Sequence, residues 1–244
     1  MSDLLPLLAD PWAVPLGKIG RRQEAACFFA MRVIGRVLSL NLLFGAGLYN
    51  DAYAVVRAAY EDWLTAAFVF QAEGDDRWIW FRAEVSRIDA RVYEAFSRLC
   101  GQEIADARFP DIPLAVQEYL GDSRRAARRE GWPTFAGLAD EVGLRAVHDF
   151  AYTRLSTYSH PTGRAFKNVF NTSPGQVTAR IPERNTEAET ELALWAWWFE
   201  LRTVTLAQRE FGIGSEAHSD ELIGLRGQSE LVTCVLVREG PVPD

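Results

Sequence analysis

The sequence has few of the residues that build metal sites and disulfide frameworks. Its 244 residues include three histidines and three cysteines, and Cys27, Cys100 and Cys234 form no C-x-x-C pair. This spacing argues against a zinc site or a disulfide framework and fits a reducing compartment. No H-E-x-x-H, P-loop or G-x-S-x-G motif is present. We therefore expect neither a metal ion nor a cofactor.

Lysine is nearly absent. Only Lys18 and Lys167 are lysines among the 26 basic residues, which is typical of a GC-rich genome, and the net charge is −7. No positive field therefore covers the whole surface and attracts nucleic acid. One dense basic patch occurs, at Arg124, Arg125, Arg128 and Arg129. We interpret it as a solvated helix face, with nucleic-acid contact as the alternative.

Long uninterrupted apolar runs are also missing. The most apolar segments, 37–48 and 192–199, are shorter than the roughly 18–20 residues that span a bilayer. The N-terminus lacks the basic region and apolar core of a signal peptide. The sequence therefore predicts no membrane span and a cytoplasmic protein.

Apolar residues at helical spacing are abundant, whereas strand-like alternation is scarce. The predicted long helices cover residues 18–44, 50–74, 76–101, 145–159, 186–211 and 219–238. Short connections between the first three favour antiparallel packing, and turn residues at 171–175 indicate one hairpin near 165–181. We predict one all-α domain, 1–244 with its core at about 18–238. It is a single bundle of five or six main helices with a small β-hairpin insertion.

Two polar stripes have side chains four residues apart, so each stripe lies along one face of a helix. They consist of Tyr53, Arg57 and Glu61, and of Tyr152, Ser156 and His160. Pro161 ends the second helix at His160, because the residue before a proline is disfavoured in the α conformation. A buried arginine or glutamate needs a partner. We therefore expect the two stripes to face each other.

The stretch NDAYAVVRAAYEDW and the later stretch YTRLSTYSHP together resemble a bacterial helical family of unknown function. That family carries an R-x-x-x-E helix and a later Y-x-x-x-S-x-x-x-H helix, and the likeness covers residues 37–162. The chain is similar, more distantly, to the HEPN superfamily of helical bundles, many of which are metal-independent ribonucleases. The HEPN signature is an arginine four to six residues before a histidine, and Arg154 and His160 fit it.

This resemblance implies a metal-independent endoribonuclease of toxin or phage-defence type. Its substrate would be RNA, and its partner a cognate antitoxin or defence protein. Arg154 would steady a phosphate through charge-assisted hydrogen bonds. His160 would transfer the proton, since its ordinary pKa of ~6.5 suits neutral pH. The remaining site residues would bind or orient: Arg57, Glu61, Tyr152 and Ser156.

The alternative is a non-catalytic helical binding protein in which Arg57, Glu61 and His160 form a structural network. Leu155 stands directly after the arginine, where active HEPN nucleases usually have a polar residue. In an unbroken helix, six positions also place two side chains roughly 120° apart. Both functions therefore stay open at the level of sequence.

Aromatic residues cover more than one side of the helix at 186–211, with Trp195, Trp197 and Trp198 close together. A helix that is apolar on several sides is either central in its fold or pressed against a partner. We predict that these tryptophans leave an apolar surface and that the protein is a homodimer.

Overall fold

The computed structural model of the protein describes residues 19–110, 132–159, 170–179 and 186–212. Within these ranges the chain forms seven helices: α1 (Arg21–Gly45), α2 (Tyr49–Gln71), α3 (Asp76–Cys100), α4 (Gln102–Arg108), α5 (Phe135–Glu141), α6 (Arg145–Ser159) and α7 (Thr186–Phe211). Two short strands, β1 (Phe170–Ser173) and β2 (Gln176–Ala179), pair antiparallel. The predicted all-α class is confirmed. The basic patch at 124–129 and the predicted helix at 219–238 lie outside the described residues.

A glycine turn reverses the chain between the first two helices. Gly47 has a φ of 70°, in the left-handed region that glycine adopts without a steric penalty. The backbone N–H of Leu48 donates to the carbonyl of Leu43 at 2.9 Å, and that of Gly47 donates to Phe44 at 3.1 Å. This pair of bonds is the Schellman motif, which satisfies carbonyls at a helix end. It lets α2 fold back against α1.

Helix α2 is the central helix of the described bundle. It packs against α1, α5, α6 and α7, so its sequence is apolar on several sides rather than on one stripe. The core around it contains Tyr60, Leu64, Phe68, Leu155 and Phe199, all fully buried. Polar side chains on α2 consequently lie close to the core, and they must find partners on neighbouring helices.

The tryptophans of α7 lie largely inside the protomer. Trp195 and Trp198 are only 2% and 6% exposed. The ring of Trp198 lies 4.7 Å from that of Trp63, and Trp195 stacks on Phe199 at 5.6 Å. The apolar surface expected from these residues is therefore mostly buried against α2, because α7 packs beside the central helix. Homodimerisation stays a prediction, but the interface would have to form on a surface other than the one around Trp195 and Trp198.

Helix α1 is the one described helix that could span a membrane by length and composition. Its most apolar window has a mean hydropathy of 1.6, and 28% of that window is buried in the protein. The inward residues include Phe29, Val33 and Leu40, which are at most 1% exposed. Core helices of soluble proteins have the same length and composition. Arg32 and Arg36 interrupt the apolar residues of this helix, so no long uninterrupted apolar run marks it in the sequence.

Candidate functional site

Side chains from three helices form one partly exposed cluster of arginines, glutamates and tyrosines. We call it the polar cluster, and its members are Tyr53, Arg57 and Glu61 of α2, Tyr152, Arg154 and Tyr158 of α6, and Glu191 of α7. Four of the six site residues predicted from sequence are among them. The helical spacing of four residues on α2 and the packing of α6 and α7 beside it bring these groups together.

Arg57 links the two predicted stripes. Its Nε donates to Oε1 of Glu61 at 2.9 Å, and its Nη2 donates to the hydroxyl of Tyr152 at 2.7 Å. The guanidinium carbon also lies 4.7 Å from the ring centroid of Tyr152, close enough for a cation–π attraction. Burial raises the pKa of the Glu61 carboxyl, and Arg57 opposes that shift. The structure thus brings Arg57 into direct contact with both Glu61 and Tyr152.

Arg154 and Glu191 form a bidentate ion pair between α6 and α7. Nε and Nη2 of Arg154 donate to the two carboxylate oxygens of Glu191, each at 2.9 Å. The hydroxyl of Tyr53 donates to the same carboxylate at 3.1 Å. Hydrogen bonding to Glu191 raises the pKa of Arg154 further above its ordinary value. This planar geometry holds the arginine in a fixed orientation.

Two tyrosines flank this ion pair. The rings of Tyr53 and Tyr158 stack with their centroids 4.2 Å apart and their planes 26° apart. The guanidinium carbon of Arg154 lies 5.7 Å from the Tyr158 ring. Tyr53 is buried and Tyr158 is half-buried. Burial, together with Glu191, raises the pKa of the Tyr53 hydroxyl, which therefore stays protonated at neutral pH.

His148 lies beneath the cluster and was not predicted as a site residue. Its Nδ1 is 2.7 Å from the hydroxyl of Tyr60, and its ring stacks on Tyr152 at 4.8 Å. The residue is 6% exposed, and burial lowers its pKa, so the imidazole is neutral at pH 7. The i, i+4 spacing of His148 and Tyr152 was a usable signal. The partner Tyr60 could not be predicted from the sequence, since it lies on another helix.

Removing the hydroxyl of Tyr60 tests this buried contact. We expect Tyr60→Phe to lower the free energy of unfolding by about 1–3 kcal/mol, because the ring nitrogen of His148 loses its buried partner. Urea unfolding at pH 7 measures the change. Tyr158→Phe is the matched control: it removes the same group from a half-buried residue and should cost under ~0.5 kcal/mol. Equal effects of the two substitutions would contradict the assignment.

The other two predicted site residues, Ser156 and His160, are not members of the polar cluster. Ser156 is half-buried on α6. His160 lies outside the described residues, directly after the last residue of α6. Leu155 is fully buried, which explains the apolar residue after the arginine: this position of α6 faces the core. Glu191 was not predicted as a site residue, because it belongs to no recognisable motif and its partner Arg154 is distant in sequence.

The described residues contain no group of three or more histidine, cysteine, aspartate or glutamate side chains placed to hold a metal ion. The charged groups of the polar cluster are instead two arginines and two carboxylates, each arginine bonded to one carboxylate. Such an arrangement can present guanidinium N–H groups to an anion and aromatic faces to a planar group.

A model of a family of unknown function, DUF5677, matches residues 23–177. The matched region runs from the first turn of α1 past the end of α6, and it includes Arg57, Glu61, Tyr152 and Arg154. Glu191, on α7, lies beyond it. No curated protein and no solved structure matches the chain.

Proposed function

This chain belongs to the DUF5677 family of unknown function, and from that starting point we propose that it is a HEPN-like protein that cleaves RNA without a metal ion. In this proposal the fold is a single bundle of five or six main helices with a hairpin insertion. The protein acts in the cytoplasm as a toxin or phage-defence ribonuclease, and a cognate antitoxin or defence protein restrains it. Arg154 contacts the scissile phosphate, and His160 moves the proton.

The observation that carries the proposal is the way Arg154 is held. Glu191 accepts from Nε and one N–H of Nη2, and a guanidinium has five N–H donors in all. Nη1 of Arg154 donates to no acceptor among the described residues, and the side chain is 37% exposed. An arginine fixed along one edge and open along the other is suited to bind a phosphate.

The aromatic residues support RNA as the ligand. Single-stranded RNA is recognised mainly by stacking its bases on tyrosine, other aromatic rings or arginine, and each stacked base contributes about 1–3 kcal/mol. Tyr158 is half-buried beside Arg154 and rests on the buried ring of Tyr53. A base stacked near Tyr158 would place its phosphate within reach of Arg154. The stack on Tyr53 fixes the orientation of Tyr158.

The other site residues hold α6 in place and complete the site. Arg57, which is held by Glu61, donates to the hydroxyl of Tyr152 from α2 and so sets the position of the helix that carries Arg154. Ser156 and His160 follow Tyr152 at intervals of four residues, so their sequence spacing places them along the same side. In this proposal Ser156, whose hydroxyl oxygen is buried, supports the site from within α6, and His160 reaches the reacting hydroxyl at the end of α6.

The proposed reaction is an internal transesterification. The RNA 2′-hydroxyl attacks the adjacent phosphorus, His160 takes its proton, and the bond from phosphorus to the 5′-oxygen breaks. The protonated His160 then gives this proton to the departing 5′-oxygen, and the other fragment ends in a 2′,3′-cyclic phosphate. Arg154 stabilises the charge that develops on the phosphoryl oxygens. Every step uses the substrate and the protein's own side chains.

A cleavage assay on single-stranded RNA in EDTA tests the proposal. We expect the wild-type protein to cleave and Arg154→Ala to lower the rate on the order of 100-fold, because one preorganised donor is lost from the transition state. His160→Ala should have a comparable effect. Arg145→Ala is the matched control: Arg145 is an exposed, ion-paired arginine on the same helix, and its loss should leave the rate unchanged. An inactive wild-type protein, or an Arg154→Ala variant as active as wild type, would refute the ribonuclease.

One observation favours a second candidate, a non-catalytic helical binding protein. Both arginines of the polar cluster already have a carboxylate partner, as expected if Arg57, Glu61 and His160 only fix helix packing. In that case the wild-type protein cleaves nothing in the same assay. His160→Ala would then lower the free energy of unfolding by about 1–3 kcal/mol, since a buried partner loses its hydrogen bond. A thermal melt of the same variants separates the two functions.

A further inference from the structure

The outer part of α3 carries an exposed apolar stripe, which we call the α3 seam. Its members are Val85, Ile88, Val92, Ala95 and Leu99. Val85 is 39% exposed, Ile88 and Val92 are each 49% exposed, and Leu99 is 83% exposed. Of the 25 residues of α3, only Trp78 and Ala83 are buried. Most of this helix therefore contributes little to the core of its own chain.

The spacing of the seam is that of a coiled coil. Its residues alternate between steps of three and four, which is the a/d pattern of a heptad repeat. The pattern begins within the bundle, at Trp78 and Phe81, whose rings pack against Phe28 and Phe29. It then continues from Val85 to Leu99 as exposed positions. A heptad stripe that is covered at one end and exposed along the rest is the surface that a second helix would cover.

We propose that two copies of the chain associate by packing their α3 seams antiparallel, and this proposal does not rest on the ribonuclease. A two-fold axis near Ala90 sets each a position against a d position of the other copy. Ile88 then meets Val92 of the second copy, and Val85 meets Ala95 of the second copy. Because the seam is complementary to itself in this register, one surface on each copy suffices for a closed dimer.

The charges beside the seam favour the antiparallel arrangement. Glu84, which also pairs with Arg87 of its own helix, and Arg98 occupy equivalent flanking positions. Antiparallel pairing therefore sets Glu84 opposite Arg98 of the second copy, twice per dimer. Parallel pairing would instead set Glu84 beside Asp89 of the second copy, again twice. Antiparallel pairing does bring the two Arg91 side chains together on one flank of the axis and the two Asp89 side chains together on the other, but like charges in contact with water cost little.

The position of the bundle favours the same arrangement. Each bundle packs on the first turns of its own α3, at Trp78. Parallel helices would force both bundles to the same end of the interface, whereas antiparallel helices place them at opposite ends.

The rest of α3 carries charges of both signs, including Glu94 and Arg98. This differs from the arginine- and lysine-rich face of a helix that lies on a membrane.

Sedimentation of the full chain tests the surface. At tens of micromolar we expect a mass twice the 27.4 kDa of one chain, and a monomer for the double substitution Ile88→Asp and Val92→Asp. Both positions are exposed, so the monomeric variant should still fold and its circular dichroism spectrum should match that of the wild type. The control replaces Met31 and Leu42 by aspartate. These residues are 61% and 77% exposed on α1, and this variant should remain a dimer.

Cys100 and a charge exchange test the orientation. The antiparallel arrangement holds the two Cys100 residues roughly 30 Å apart, at 1.5 Å per helical residue, so mild oxidation should form no disulfide between copies. Glu84→Arg should weaken the dimer at least threefold, and adding Arg98→Glu should restore it. Rapid Cys100 cross-linking would overturn the orientation, and a dimer that survives the seam substitutions would overturn the surface. A monomeric wild-type protein would overturn the dimer. If the thiol of a Val92→Cys variant then resisted alkylation, another segment of the same chain would be the one that covers the α3 seam.

Discussion

Replacing Trp195 by alanine is expected to lower the free energy of unfolding by about 3–5 kcal/mol, the usual cost of deleting a large buried aromatic side chain. Trp195 is 2% exposed and lies against Phe199 and Trp198. Its removal would leave a cavity between α7 and the central helix, which well-packed neighbours fill only in part. Urea unfolding followed by circular dichroism measures the loss.

Trp197 is the matched control for this substitution. It stands on the same helix two residues away, but it is only half-buried. Trp197→Ala should therefore cost less than half as much as Trp195→Ala. The comparison also separates a core role from an interface role: if Trp195 forms a dimer interface, its substitution should produce a stable monomer. A folded, fully stable Trp195→Ala monomer would contradict the packing described above.

Replacing Glu200 by glutamine is expected to stabilise the protein on the order of 3 kcal/mol near neutral pH. Glu200 is 3% exposed on α7, and burial raises the pKa of its carboxyl to about 8. The folded state therefore keeps the proton at pH 7, whereas the unfolded chain, with a pKa near 4.5, has released it. Glutamine is neutral in both states and removes this difference.

The sign of the pH dependence follows from the same shift. Below about pH 4.5 both states of the wild-type protein hold the proton, so Glu200 costs nothing. Between that pH and about 8, only the folded state holds it, and each pH unit lowers stability by about 1.4 kcal/mol. The advantage of Glu200→Gln should thus vanish in acid and grow as the pH rises.

Urea unfolding from pH 4.5 to 8.5 measures this divergence. Glu73→Gln is the control, because Glu73 is an exposed carboxylate and its substitution should shift the curve by less than ~0.5 kcal/mol at every pH. Parallel curves for the wild type and Glu200→Gln would show that the Glu200 carboxyl is charged in the folded protein and would contradict its burial.

The long helices were predictable from the sequence because their signals are local. The predicted segments 50–74, 76–101, 145–159 and 186–211 correspond to Tyr49–Gln71, Asp76–Cys100, Arg145–Ser159 and Thr186–Phe211. Glycines at 47 and 101 stop helices through their own backbone freedom, and both have a positive φ. Apolar spacing and chain-breaking residues act within a few positions, so no knowledge of the neighbouring helices was needed.

Part of the site was also readable. Arg57 and Glu61 pair because they are four residues apart on one helix, a geometry that any helix imposes. The contact between Arg57 and Tyr152 follows from the same spacing only if α2 and α6 face each other. Because a buried charge needs a partner, we expected the two stripes to face each other. That requirement did not show which polar residue of the second stripe, Tyr152 or another, contacts Arg57.

The tertiary structure alone decided which groups became partners across the bundle. Glu191 binds Arg154 because α6 and α7 both pack against α2, and nothing in either local sequence specifies that neighbour. Tyr60 meets His148 for the same reason. Burial was decided in the same way: Trp195 and Leu99 are both large apolar residues on long helices, yet one is 2% and the other 83% exposed. Hydrophobicity drives each of them out of water, and only the arrangement of the surrounding helices determines whether a given chain can cover it.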